Sequence, residues 1–270
     1  MISYLGPPGT FTEEAAERFS EEELGGNGKL QSARTITAVF SRVERGEADY
    51  GVVPWENSLE GSVGETLDNF LHRSVRVFGE LVLPIVHALM SGSEPDDREP
   101  VVYSHPQAYE QARETLRELL GNHEFVPTAS TAEAAKLASK EGAYALGPPR
   151  LAERFGLDIM EEIRLENNET RFAIISRRDR APTKEDKTSV VFSVTDRPGA
   201  LREILGIFAD RGINLTKIES RPAKRGLGDY VFFLDFEGHR MLYPGSEALA
   251  ELRERTPFSK VLGSYPKVFP

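Results

Sequence analysis

The sequence predicts an α/β protein made of two units, because two different patterns of strands and helices follow one another along the chain. Up to about residue 178, short apolar runs alternate with helix-like stretches, which is typical of an α/β architecture with largely parallel sheets. Residues 188–270 then give the order βαββαβ, the ferredoxin-like arrangement. Two polar tracts, at 168–172 and 219–222, each adjoin a candidate strand, and this pairing indicates one ligand site in each unit.

The strands of the first unit are short apolar runs. They are predicted at 2–5, 50–53, 101–104 and 143–146, and Pro54 is expected to end the second. The polar tract at 168–172 enters a further apolar run at 172–175.

The helices of the first unit are predicted from apolar spacing and from their first turns. They are placed at 12–19, 38–45, 63–72, 106–120 and 131–140. Acidic residues come early in the first helix, Val39 and Val43 are spaced i, i+4 in the second, and apolar side chains share one side of the third. Pro106 opens the fourth, where proline is favoured, and the fifth is rich in alanine.

The second unit follows a charged segment. Residues 177–187 contain no large apolar side chain, so we place a linker at 179–187 between domains at 1–178 and 188–270. The predicted elements are strands at 189–194, 213–218, 230–236 and 261–265 and helices at 200–210 and 247–255. The first of these helices carries apolar residues at i, i+3, i+4 and i+7, from Leu201 to Phe208.

Composition excludes several classes of function. The net charge of -10 argues against nucleic acid or an anionic membrane as the main partner, although a few Arg or Lys residues can dominate one cleft. The chain has no cysteine, which rules out disulfides, thiol nucleophiles and thiolate metal sites. It shows no signal peptide and no apolar run of membrane-spanning length, so we expect a cytoplasmic protein.

Polar motifs follow three of the predicted strands. They are Gly6–Thr10, Glu56–Ser58 and Ser104–Gln107, and ligands in α/β folds bind beyond the carboxyl ends of strands, so the three could converge on one cleft. Each also has a structural interpretation. The first lacks the Lys of a phosphate loop and could be a turn that caps a helix, the second could be a capping loop, and His105 could be a structural hydrogen-bonding residue.

The two tracts named at the outset are ambiguous when each is taken alone. Strand alternation places Thr170 and Phe172 on one face and Arg171 on the other, where the arginine could simply form a surface ion pair. The tract Glu219–Pro222 could end an edge strand. Its predicted neighbour, the loop Asp196–Gly199, leads into a helix whose free amides would attract the carboxylate of an amino acid.

Taken in order, these motifs resemble the prephenate dehydratase family over nearly the whole chain. Four tracts match its catalytic domain: Gly6–Phe11, Val53–Ser58, Ser104–Gln107 and Thr170–Phe172. Four match its C-terminal ACT regulatory domain: Gly199–Leu201, Asn214–Thr216, Glu219–Pro222 and Asp235–Gly238. The tract Tyr144–Pro149 departs from the small residues and polar helix start common in the family, so the local wall of the cleft is expected to differ.

The resemblance implies a catalytic domain of two α/β lobes, similar to a type 2 periplasmic binding protein, with the site between the lobes. It implies conversion of prephenate to phenylpyruvate in phenylalanine biosynthesis by a carbon–oxygen lyase. Aromatisation drives that reaction, so no cofactor is expected. It also implies inhibition by L-phenylalanine through the ACT domain, with effector sites at a subunit interface of a homodimer or homotetramer.

The resemblance also implies roles for individual residues. The expected catalytic residues are Asn57, Ser58, Ser104, Gln107, Thr170 and Arg171, and the expected substrate-binding residues are Thr10, Glu56 and Phe172. Thr170 is assigned to the departing ring hydroxyl. Arg171 is assigned to the pyruvyl carboxylate, because a cation on the departing carboxylate would stabilise the ground state more than the transition state. The expected effector-binding residues are Gly199, Ala200, Leu201, Asn214, Glu219 and Ser220.

Two other functions stay open at this point. Arogenate dehydratase would use the same fold and chemistry on a substrate with an amino group in place of the keto group. A solute-binding protein or amino-acid sensor would use the two-lobed fold without chemistry, although the complete set of catalytic motifs argues against it. A fused chorismate mutase is not expected, because Met1 lies only a few residues before the first motif.

Overall fold

A computed structural model of the chain describes residues 1–92, 99–223 and 230–267. The strands are β1 (Ile2–Leu5), β2 (Leu30–Ala33), β3 (Tyr50–Asn57), β4 (Gly61–Ser62), β5 (Arg76–Ser91), β6 (Val101–Ser104), β7 (Glu124–Pro127), β8 (Tyr144–Gly147), β9 (Asp158–Ser176), β10 (Asp186–Ser193), β11 (Leu215–Pro222), β12 (Tyr230–Glu237) and β13 (Phe258–Pro266). The helices are α1 (Phe11–Leu24), α2 (Ile36–Arg45), α3 (Gly64–His72), α4 (Pro106–Leu120), α5 (Thr131–Glu141), α6 (Arg150–Phe155), α7 (Ala200–Ala209) and α8 (Gly245–Arg255). None of these helices is long and apolar enough to cross a membrane.

The first sheet is mixed, with the order β2-β1-β3-β9-β5-β8-β6-β7 and with β4 paired to β3. Its two ends are parallel, as expected, but β9 and β5 run antiparallel to each other and to their outer neighbours. The expectation of largely parallel sheets is therefore wrong at the centre. The sequence analysis missed β5 and most of β9. The first half of β9 is mainly exposed and charged and does not show the apolar run of a buried strand, whereas β5 is largely apolar and buried and does show one.

The two central strands divide the first unit into two lobes. β5 and β9 pair along almost their whole length and pass from one lobe to the other. The first lobe holds β1, β2 and β3 with helices α1 to α3, and the second holds β6, β7 and β8 with α4 to α6. In the second lobe, the small side chains of Ala134, Ala135 and Ala138 let α5 lie close to the sheet. The cleft between the lobes faces the N-termini of α1 and α5.

The C-terminal unit is a four-stranded antiparallel sheet with the order β11-β12-β10-β13. Helices α7 and α8 pack on one face, so the predicted βαββαβ order is confirmed. The tract Glu219–Pro222 lies within β11 and not beyond its end.

The other face of this sheet packs directly on the first lobe. Val191, Phe233 and Leu262 share one apolar core with Trp55 and other residues of the first unit. The two backbones also come close together, because a Cβ atom at Gly263 would stand 2.1 Å from the carbonyl oxygen of Val77. Only glycine fits at that contact, so the two units are packed tightly against each other.

Candidate active site

The cleft between the lobes has a volume of about 1030 Å³ and holds most of the polar tracts that follow strands. Its walls are the loop between β1 and α1, the starts of α2, α4 and α5, and parts of β3, β5 and β9. From the predicted set, Thr10, Asn57, Gln107, Thr170 and Phe172 line it. The convergence expected from the strand ends is therefore observed for these residues, which come from both lobes.

The hydroxyl of Thr170 is fixed by a neighbouring amide. Asn57, which is 8% exposed, donates from Nδ2 to Thr170 Oγ1 at 3.0 Å and to Asn168 Oδ1 at 2.8 Å. Its own Oδ1 accepts from the backbone amides of Leu59 and Glu60 at 3.0 and 3.1 Å. Because Thr170 Oγ1 accepts one hydrogen bond from Asn57, its own proton can point into the cleft.

Two further predicted residues face each other from opposite lobes. Thr10 caps α1 by accepting a hydrogen bond from the amide of Glu13, and it also lines the cleft, so the capping role does not take it away from a substrate. Gln107 lies in the first turn of α4, where its side chain donates to the carboxylate of Glu60. The amide thereby bridges the second lobe to the β3–β4 loop of the first.

Three predicted residues lie outside the cleft. Ser104 is fully buried and donates to the carbonyl of Leu146 at 3.1 Å, so its side chain links strands β6 and β8. Ser58 donates to the carbonyl of Asn167 at 2.5 Å and supports the turn within β9. Glu56 pairs with Lys217 of β11 at 2.8 Å. Glu56 misses the cleft because a bulge between Pro54 and Glu56 changes the alternation of β3, a feature that the sequence did not reveal.

Arg171 also points away from the cleft, and its assignment to the substrate carboxylate needs correction. Its side chain is 11% exposed on the opposite face of the sheet, with the guanidinium 3.8 Å from the centre of the Trp55 ring. It donates to Glu80 at 2.6 Å, to Asp235 at 2.8 Å and to the hydroxyl of Tyr265 at 2.8 Å. Burial disfavours the charged form, but the nearby carboxylates overcome that effect and hold the pKa of Arg171 well above its usual value.

Two arginines that the sequence analysis missed supply positive charge to the cleft. Arg34 and Arg42 both line it, and neither forms an ion pair with a carboxylate among the residues that the structure describes. Arg42 instead donates to the carbonyl of Ser32 at 2.9 Å and to Ser3 Oγ at 3.3 Å. Arg34 directly follows β2. A prediction of that short strand would have marked Arg34 as a strand-end residue, like the other candidate site residues.

A buried histidine was missed as well. His87 lies on β5, lines the cleft and is 6% exposed. Its ring meets that of Phe11 edge-on, with 5.7 Å between centroids, and the side chain of Gln111 is a hydrogen-bond partner. Burial lowers the pKa of His87 to about 4, so the imidazole is neutral at neutral pH.

This buried imidazole predicts an acid-sensitive contribution to stability. On lowering the pH, the unfolded chain binds a proton at this residue near its ordinary pKa of 6.5, whereas the folded protein does so only near pH 4. Stability should therefore fall across that interval, by roughly 3 kcal/mol in the limit. Denaturant unfolding of the protein and of His87→Asn between pH 7 and pH 4 measures the effect. Equal pH slopes for the two proteins would contradict it.

A second cavity, of about 380 Å³, lies in the C-terminal unit at the start of α7. Gly199, Ala200 and Leu201 line it together with Tyr230 and Phe232 of β12. Gly199 has a φ of +83°, in the left-handed region that favours glycine, and so turns the chain into the helix. These three residues agree with the predicted effector motif.

The other predicted effector residues lie outside this cavity. Glu219 accepts a hydrogen bond from Ser62 of the catalytic unit, and Lys217 donates to the same hydroxyl at 2.6 Å. Ser220 is paired within the sheet, and the carbonyl of Asn214 accepts from the amide of Glu237. Within one chain, the tract at 199–201 lines this cavity, whereas Asn214, Glu219 and Ser220 do not.

The site supports chemistry by hydrogen bonding and charge placement. In the described part of the chain, no cluster of three acidic or histidine side chains could hold a metal ion. The cleft instead combines a positioned hydroxyl, several amides, a neutral imidazole and two arginines, which suits an anionic organic ligand.

Comparison with known proteins points to one family. The family model "Prephenate dehydratase" matches residues 2–180, and the model "ACT domain" matches residues 188–254. The chain is 45% identical to the bifunctional chorismate mutase/prephenate dehydratase of Aquifex aeolicus, over 98% of this chain and 73% of that protein. It is 38% identical to the prephenate dehydratase of Methanocaldococcus jannaschii, over 98% and 97% of the two chains.

A solved structure gives the same result. The crystal structure of prephenate dehydratase from Arthrobacter aurescens in complex with L-Phe matches with a TM-score of 0.87 at 35% identity. The match covers 98% of this chain and 90% of that one.

Proposed function

The chain belongs to the prephenate dehydratase family, and from that premise we propose that its cleft converts prephenate to phenylpyruvate as a carbon–oxygen lyase. The observation that carries the proposal is the hydroxyl of Thr170, which Asn57 holds at 3.0 Å inside the cleft between the lobes. The proposal includes a role in phenylalanine biosynthesis in the cytoplasm, with a catalytic domain at 1–178, a linker at 179–187 and a regulatory domain at 188–270.

The reaction needs a hydroxyl to leave a ring carbon while carbon dioxide leaves another. The electron pair of the C–C bond to the carboxylate moves into the ring, and the C–O pair departs with the hydroxyl oxygen. Negative charge therefore develops on that oxygen, and a donor fixed beforehand stabilises it without reorganisation. Thr170 suits this task, because its hydroxyl oxygen accepts a hydrogen bond from Asn57 and its own proton is then free to be donated into the cleft.

The two substrate carboxylates need different surroundings. The departing carboxylate loses its charge in the transition state, so neutral groups such as Gln107 suit it, whereas the pyruvyl carboxylate stays charged throughout. In place of Arg171, we assign the pyruvyl carboxylate to Arg34 and Arg42, which both line the cleft.

Replacing Arg34 by glutamine should weaken substrate binding with little effect on the chemical step. A hydrogen bond to a charged group contributes about 1.5–3 kcal/mol, so KM for prephenate should rise by roughly 10- to 100-fold. Steady-state kinetics measure this, with Arg113→Gln on the exposed side of α4 as the control. A change confined to kcat would contradict the assignment.

We propose L-phenylalanine as the effector, bound at the start of α7. The backbone amide of Leu201, in the first turn of α7, suits its carboxylate, and the nearby ring of Phe232 suits its side chain. The L-Phe complex of the Arthrobacter aurescens relative supports this choice. A homodimer or homotetramer would let a second copy contribute Asn214, Glu219 or Ser220, and inhibition requires that phenylalanine bind one global state better than another.

The test is phenylpyruvate formation from prephenate, with and without L-phenylalanine, beside the same assay with arogenate. Turnover of prephenate that phenylalanine suppresses is expected. A higher kcat/KM for arogenate than for prephenate would identify the chain as an arogenate dehydratase. Tight binding of prephenate with no turnover would favour a binding module instead.

A further inference from the structure

The hairpin formed by β3 and β4 holds the side chain that donates to Thr170. Asn57 ends β3, and its Oδ1 accepts from the backbone amides of Leu59 and Glu60, in the turn that leads to β4. Its Nδ2 donates to Thr170 Oγ1 at 3.0 Å. The position of the hairpin therefore determines the hydrogen bond that this hydroxyl receives.

One residue of the C-terminal sheet contacts both strands of the hairpin. Nζ of Lys217, on β11, lies 2.8 Å from Glu56 Oε2 on β3 and donates to Ser62 Oγ on β4 at 2.6 Å. Glu56 and Ser62 are paired across the hairpin, so Lys217 joins the two strands at one level. Because the Lys217 side chain is only 11% exposed, solvent ions weaken these contacts little.

The pairing of β3 with β9 carries this contact to the cleft. Glu56 is paired with Arg171, and the next residues, Asn57 and Thr170, are paired with each other. Glu56 and Arg171 contact the C-terminal sheet, whereas Asn57 and Thr170 line the cleft on the opposite face. A side chain that Lys217 holds on one face therefore fixes the backbone of its neighbour on the other.

We infer that Lys217 is a positioning residue of the reaction, supplied to the catalytic unit by the C-terminal sheet. It holds the β3–β4 hairpin in the place from which Asn57 donates to Thr170, and it acts through these two side chains without touching the substrate. The catalytic site is therefore completed by a residue of the regulatory unit. This inference rests on the proposed dehydratase function.

The alternative is that Lys217 only stabilises the packing of the two units, and Lys187 provides a matched control. Lys187, on β10, joins the same two units with a similar geometry, because its side chain is 12% exposed and lies 2.7 Å from Glu80. Glu80 belongs to β5 and not to the hairpin, and it keeps its ion pair with Arg171 when the lysine is lost. Lys187→Met therefore weakens the interface without releasing β3 and β4.

Lys217→Met removes the contacts to the hairpin and keeps the aliphatic part of the side chain. The carboxylates that it leaves, Glu56 and Glu219, are 33% and 28% exposed and stay partly hydrated, so the protein should fold. In steady-state kinetics, kcat for prephenate should fall by about 10- to 100-fold, the loss typical of a slightly misplaced catalytic group, with KM little changed. Lys187→Met should keep the rate of the unaltered protein. Equal losses in the two variants, or a normal rate in Lys217→Met, would overturn the inference.

A second measurement asks whether Lys217 acts through Thr170. Residues that work as a unit have non-additive effects on kcat. In a Thr170→Ala background, Lys217→Met should therefore lower kcat little further, because the hydroxyl that it positions is already absent. A further loss as large as the one in the unaltered protein would refute the inference.

Glu56→Gln tests the same contact from the catalytic unit and does not depend on the folding of Lys217→Met. It should also lower kcat with little change in KM, and an unchanged kcat would count against the inference. Lack of turnover by the unaltered protein would reject the dehydratase function and this inference together. Turnover by the unaltered protein that Lys217→Met and Glu56→Gln both retain in full would reject the inference alone.

Discussion

Replacement of Thr170 by alanine is expected to lower kcat for prephenate by about 10²–10⁴-fold, the range typical of a removed proton-donating group. The substitution deletes the cleft hydroxyl to which Asn57 donates, the group that we propose acts on the departing hydroxyl. It removes few other contacts, because Thr170 is half-buried at the cleft wall and its backbone pairs with Asn57 and Leu83 are kept. The fold and the binding of L-phenylalanine should therefore be unchanged.

Thr170→Ser is the matched control, because serine keeps the hydroxyl and loses only a methyl group. It should retain a rate within about tenfold of the unaltered protein. Rapid-mixing assays of phenylpyruvate formation compare the two variants. Near-normal turnover by Thr170→Ala would remove the hydroxyl from the mechanism.

Replacement of Arg171 by methionine is expected to destabilise the protein by about 3–5 kcal/mol, because it leaves buried carboxylates without their cation. Glu80 and Asp235 are both almost fully buried beside the guanidinium, and among the described residues only Glu80 keeps another cation, Lys187 at 2.7 Å. Asp235 belongs to β12, so the loss should also weaken the packing of the regulatory sheet on the catalytic lobe.

Denaturant unfolding measures this change in the free energy of unfolding. Arg18→Met, which removes an exposed ion pair on α1, should change it by less than about 1 kcal/mol. Adding Asp235→Asn to Arg171→Met should recover part of the loss, because it removes one of the uncompensated charges. An Arg171→Met protein as stable as the control would show that this buried network contributes little.

The parts of the site that could be predicted are those governed by local rules. Strand alternation was enough to place Thr170 and Phe172 on one face of the strand and Arg171 on the opposite face. The partners of Arg171 on that face could not be predicted from the sequence. The rule for strand ends placed Thr10 and Asn57 correctly. For Arg171, the family motif led to an assignment in the cleft that contradicts its own position in the strand.

The parts that could not be predicted depend on pairing between distant segments. The bulge that turns Glu56 away exists only because β3 pairs with β9, more than a hundred residues later. His87 lies in β5, which is largely apolar and buried, but the strand that pairs with it there is the exposed and charged half of β9, so the sequence did not indicate their pairing. Ser104 comes at the end of an apolar run, as a catalytic residue at a strand end would. Its hydroxyl donates to a backbone carbonyl of the neighbouring strand β8, and the sequence alone does not reveal this hydrogen bond.

The two long strands that join the lobes have a mechanical consequence. A loop hinge would let the lobes rotate freely, but β5 and β9 must bend together, and the bend falls most easily where their register is irregular, between Pro84 and Val86. Thr170 lies on one side of that point and His87 on the other. A movement of one lobe relative to the other would therefore have to bend both strands together, and it would change the spacing between these two side chains.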